Sequence, residues 1–249
     1  MDRSMLLTMM FVFGCTLTGF VVSVFVVESD MPIVSGLLGT GAGAMLGSFV
    51  AAIATAKIGG NAMVWHMRLG LLALALLAFR LLWGFVGGYW SRFSSFAYSP
   101  RSVTAYLRGD AGPDGRHEVG HSPLGALSVF ALLAVLVAQV ATGLVADDEI
   151  ATTGPLNSLV SGDIARLASG WHASWGQYVI IALVLLHVGA VVYYLRVKKR
   201  NLIAPMWHGD KALAGDVPAS VDGIAQRLLA LVLIAAGLGL AWWISRLGG

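Results

Sequence analysis

Trp171 to Arg200 reads WHASWGQYVIIALVLLHVGAVVYYLRVKKR. An apolar run long enough to cross a bilayer ends on a basic stop and carries two histidines, His172 and His187. Fifteen residues is slightly over four helical turns, so the spacing predicts both rings on nearly the same face, ~22 Å apart along the axis. Imidazole is costly in hydrocarbon unless it is paired or bound, which makes an intramembrane histidine a functional candidate. Two on one face suggest two layers of a coordinated group, and haem iron takes axial imidazole. For His172, near the helix start, a hydrated interfacial residue is the competing reading. His187 lies mid-span, where that reading is weaker.

The composition agrees with a membrane setting. The chain has 249 residues, of which 57% are hydrophobic and 12% charged, and its mean hydropathy is +0.79. That pattern marks an integral membrane protein rather than a soluble domain with a large core. The single cysteine, Cys15, allows no internal disulfide and no cysteine-based metal site. No C-x-x-C-H run exists for thioether attachment, so any haem is non-covalent, of b type. The net charge of +3 resides in loops and reports topology. Nucleic-acid binding is not indicated, and there is no Gly-rich phosphate loop or zinc pattern.

Five spans are expected in an all-α integral membrane protein forming one domain, 1–249. They cover about 5–27, 63–86, 124–145, 178–195 and 228–244, the last with Trp242 and Trp243 as an interfacial belt. The segment 33–56, IVSGLLGTGAGAMLGSFVAAIATA, is uncharged and rich in small residues. It reads as an external or re-entrant helical insertion, with a full crossing as the alternative. The loops from Tyr89 to Ser122 and from Arg196 to Arg227 are basic and should be cytoplasmic; Ala146 to Trp171 holds Asp147, Asp148, Glu149 and Asp163 and should lie outside. The N-terminus, with Arg3, then falls inside. Such a protein crosses its membrane several times, with the basic loops on the inner side.

On this topology His66 and His172 open the second and fourth spans at the outer end, in one layer. Bundle cores commonly hold cofactors between facing helices, so these two can clamp one iron. Gly70 and Gly176 each follow their histidine by four residues. That spacing makes room for a flat macrocycle or, alternatively, permits close helix packing. Arg80, about four turns deeper than His66, needs a partner in the membrane. Haem propionates would supply one; snorkelling to the inner surface is the alternative. Arg68 could serve the outer propionates or face water. His187 belongs to an inner layer. Its second ligand should come from the first span, which has no histidine and offers only Met9 and Met10 near the right depth. His121, in GHSPLGAL, opens the third span from inside and could bond a propionate. His117 and His208 lie in loops.

With these residues in place, the chain resembles the bacterial di-haem cytochrome b561 family. That superfamily includes the b-type subunits of nickel–iron hydrogenases and the gamma subunits of formate dehydrogenases. The matching stretches are HMRLGLLALALLAFRLLWGFVGG, RFSSFAYSPRSVTAYLRG, GHSPLGALSVFALL and LVLLHVGAVVYYLRVKKRNLIAPMWHG. The resemblance implies a four-helix haem-binding bundle plus a fifth C-terminal transmembrane helix. It implies one or two haem b groups, quinone-linked electron transfer, and a periplasmic c-type cytochrome or dehydrogenase subunit as partner. Carried over, His66 and His172 match the outer ligands and His187 one inner ligand. The usual Arg-x-x-His-Trp start of span one is replaced by RSMLLTMMFVFGC, so the inner haem lacks its usual partner ligand.

The chain therefore reads as an electron-transfer component of respiration rather than a stand-alone catalyst. It would pass electrons between the quinone pool and a periplasmic partner. A membrane anchor or assembly subunit with reduced haem content is the alternative that the missing histidine favours. A small transporter fits less well, because no internal repeat is evident.

Overall fold

The computed structural model describes residues 40–109, 120–203 and 223–248. The expected first span, with Met9, Met10 and Cys15, lies outside the described residues, as do His117 and His208. Among the described residues the elements are helical. They are α1 (Thr40–Ile58), α2 (Met63–Val86), α3 (Pro100–Arg108), α4 (Pro123–Val145), α5 (Gly162–Gly170), α6 (Gly176–Arg196) and α7 (Ile224–Ser245). Among the described residues, four helical stretches are long and apolar enough to cross a membrane: Gly60–Val86, Pro123–Val145, Gly162–Arg196 and Ile224–Ser245. The all-α membrane bundle expected from the sequence is what the chain forms.

Local sequence accounts for the starts and turns. Ser99 and Ser122 each accept a backbone N–H three residues on, with proline in the first turn of α3 and α4, the arrangement that satisfies otherwise orphaned donors at a helix start. Gly109, at φ 85°, closes α3 in the left-handed region. Gly59 and Gly60, at φ 67° and 52°, make the tight turn that folds α1 back on α2.

Helix α2 is the hub: α1 and α7 pack along it, α4 touches it, and α6 packs on α4. The core joins Leu77 of α2, Leu133 and Leu136 of α4 and Ile180 of α6. A second cluster seats Ala230 and Ile234 of α7 on Phe79. Close approach of α7 depends on Gly237, where a Cβ would stand 2.9 Å from the Ala75 carbonyl oxygen.

The fourth span departs from its expected limits. It is continuous from Gly162 to Arg196 rather than beginning near Tyr178, because α5 runs into α6 through a π-helical turn at Trp171–Trp175. That wide turn contains His172. Such turns are rare and occur often at functional sites. The loop that follows α4 is pinned beside it: the Asp147 N–H donates to Ser169 Oγ at 2.8 Å, and Asn157 Nδ2 donates to the Val145 carbonyl at 2.8 Å.

Candidate haem site

His66 on α2 and His172 in the π turn face each other, with ring centroids 5.8 Å apart and planes at 78°. Each ring is held by a carbonyl from a different helix. His66 Nδ1 lies 2.9 Å from the Ala52 oxygen of α1, and His172 Nδ1 lies 2.8 Å from the Gln139 oxygen of α4. A carbonyl can only accept, so each Nδ1 carries the proton and each Nε2 keeps its lone pair. Neither Nε2 has a hydrogen-bond partner among the described residues. This is the arrangement expected of metal-ligating histidines, whose second nitrogen is fixed by a carbonyl or carboxylate.

The donor set suits haem. Metal–imidazole bonds of about 2 Å put the centroids of two opposed imidazoles roughly 6 Å apart, close to the separation seen. Among the described residues no group of three or more His, Cys, Asp or Glu side chains could hold a bare metal ion. A porphyrin brings its own four nitrogens, so two histidines suffice. One turn beyond His66, a Cβ added at Gly70 would meet nothing within 4 Å, leaving open space beside that ring's helix. Gly176 differs from Gly70: its missing side chain is filled by the Gln139 amide, with Trp171 Nε1 2.8 Å away. There the glycine permits packing against α4, the alternative that the sequence left open.

Gln139 braces His172 twice. Its backbone oxygen takes the Nδ1 proton, and its side-chain Nε2 donates to the His172 carbonyl at 2.9 Å. Sequence reading passed over Gln139, although a lone amide within an apolar span is a signal in itself. The Ala52 carbonyl could not have been found, because a backbone acceptor leaves no trace in side-chain pattern.

Deeper along the bundle, Arg80 and His187 lie near enough to His121 to act on it electrostatically. Burial, and then the neighbouring Arg80 guanidinium, hold the His121 imidazole below its usual pKa. The His121 ring packs on Phe96 at 4.6 Å between centroids. The Arg80 guanidinium lies over the Phe93 ring at 5.0 Å, and its Nη1 is buried with no hydrogen-bond partner. The Trp171 indole nitrogen near the outer pair is likewise buried and unsatisfied. Buried donors of this kind call for an acceptor, and a carboxylate supplies a strong one to a guanidinium. Arg68 instead lies over the Trp65 ring, 5.0 Å from its centroid. Among the described residues His187 has no hydrogen-bond partner.

The family model for prokaryotic cytochrome b561 matches residues 6–209. No curated protein and no solved structure matches the chain.

Proposed function

We propose that this chain, which belongs to the prokaryotic cytochrome b561 family, carries single electrons between the membrane quinone pool and a redox protein on the outer side. As a family member it is a membrane b-type cytochrome; the quinone, the outer partner and the residues below are our reading. The observation that carries it is the His66–His172 pair, 5.8 Å apart, with both Nδ1 atoms tied to carbonyls.

Bound haem supplies a one-electron couple; the chain supplies position and surroundings. His66 and His172 would hold the outer haem through their Nε2 lone pairs. Gln139 holds His172 against rotation, and the Ala52 carbonyl holds His66. Trp171 Nε1–H and Arg80 Nη1–H are donors available to propionates. His187 would serve an inner haem, with Arg80 and His121 as its polar neighbours. The apolar walls of α2, α4 and α6 exclude water.

The outer partner is a basic soluble protein, of which a c-type cytochrome is the natural class. Asp147, Asp148, Glu149 and Asp163 stand on the external segment against Arg166, and Arg166 is already paired with Asp163. Beside them Ile150 is 90% exposed. An acidic rim near an exposed apolar residue steers a cationic protein by charge. The basic loops then face the cytoplasm, as does the N-terminus.

The test uses the purified protein in proteoliposomes. A soluble quinol analogue should reduce its haem, and added basic c-type cytochrome should reoxidise it at a rate that falls as salt rises. Failure of quinol to reduce a haem-loaded protein would remove the quinone assignment. A reoxidation rate indifferent to salt would remove the charge-steered partner.

A further inference from the structure

The turn at Gly59–Gly60 lays α1 along α2 and brings a polar feature to the back of one ligand. Ser48 and Thr55, each 2% exposed, lie two turns apart on α1. The Thr55 hydroxyl donates to the carbonyls of Ala51 and Ala52, at 2.8 and 2.9 Å. The same Ala52 oxygen takes the His66 Nδ1 proton at 2.9 Å. In a regular helix that oxygen also faces the N–H four residues on. A carbonyl has two lone pairs, so three donors compete for it, and the strength of its bond to His66 depends on what the others take.

We propose that helix α1 tunes the His66 ligand: the Ala52 carbonyl fixes its tautomer, and Thr55, as a positioning residue, sets how strongly that carbonyl pulls on the Nδ1 proton. The inference rests on the haem reading above. A stronger pull makes the imidazole more basic, and a more basic axial ligand favours ferric iron. Thr55 withdraws part of the carbonyl's capacity and so holds the potential of the outer haem up. A threonine hydroxyl bonded back to the preceding turn also tends to bend the helix there.

Thr55→Val keeps the shape and removes the hydroxyl; Thr55→Ser keeps the hydroxyl. Both are compared with the parent protein, purified at full length, by redox titration of the outer haem and by low-temperature electron paramagnetic resonance of its ferric state. In Thr55→Val the midpoint potential should shift down and the ferric low-spin signal should move, while Thr55→Ser keeps both. Loss of haem from Thr55→Val alone, with Thr55→Ser at the parent potential, also assigns the effect to the hydroxyl. A haem-loaded Thr55→Val protein with the parent potential and signal overturns this inference alone, as does Thr55→Ser shifting as far as Thr55→Val. A parent protein without haem overturns the functional reading as well.

Discussion

Gly143→Ala is the sharpest small perturbation available, because it acts on the His172 ring without removing a polar group. Gly143 lies on α4 one turn beyond Gln139, against the His172 imidazole. A Cβ there would stand 2.6 Å from Cε1, 2.9 Å from Nδ1 and 3.3 Å from Nε2. Non-bonded carbons settle at about 3.5–4.0 Å, so the ring must retreat by about 1 Å. The Nδ1 bond to the Gln139 oxygen is 2.8 Å long, and a retreat of that size takes it out of hydrogen-bond range. Overpacking of this kind costs about 1–3 kcal/mol, equivalent to roughly 5- to 150-fold in haem affinity. The assay is haem per protein after purification, together with the low-spin fraction of the ferric spectrum. Gly239→Ala on α7 is the control, since a Cβ there meets nothing within 4 Å. Gly143→Ala should lose haem or low-spin character while Gly239→Ala keeps both. Parent-like haem content and spectrum in Gly143→Ala would refute the placement of His172 as a ligand.

Three further outcomes follow from the same geometry. Gly70→Leu, which fills the open space one turn from His66, should abolish haem binding while leaving helix content by circular dichroism unchanged; full haem loading would put the macrocycle elsewhere. Gly237→Ala pushes a methyl against the Ala75 carbonyl, 2.9 Å away, and should lower stability by about 1–3 kcal/mol in a detergent unfolding titration. An unchanged midpoint there would mean that α7 is loosely held on α2. Asp148 accepts the N–H groups of Ile150, Ala151 and Thr152, and these hold its carboxyl down at about 2 against an ordinary 3.8. Because the folded value is the lower one, the ordering it gives the loop is full above the ordinary value and is lost as pH falls from there through about 2. Amide protection at residues 150–152, taken relative to the intrinsic exchange rate at each pH, should fall only in that acid window, and a fall near neutral pH would contradict the assignment.

Much of the fold was legible because hydrocarbon imposes a simple rule: backbone groups must be satisfied within helices. The run from Met63 to Val86 reads as a span and forms one with those limits. The fourth span was less legible. Gly162 to Trp171 is polar enough to read as loop, and only the π turn joins it to the span. For the candidate site, the two histidines were visible by type and depth, and the structure brings their rings together. What holds them was only half visible. Gln139 is a lone amide in an apolar run, a signal that the sequence reading did not use. The Ala52 carbonyl and the crowding at Gly143 arise from how α1 and α4 pack, which no periodicity records. The paired glycines show the limit most plainly. Equal spacing from a histidine suggested equal roles, yet Gly70 faces open space and Gly176 is filled by Gln139.

The central claim is that His66 and His172 grip one iron from opposite sides. It is tested most directly by haem stoichiometry and ferric electron paramagnetic resonance on the parent protein and on His66→Ala and His172→Ala. The parent should carry b-type haem with a bis-histidine low-spin signal, and either substitution alone should remove that same signal. Persistence of the signal in either variant, or a parent protein without b-type haem, would contradict it.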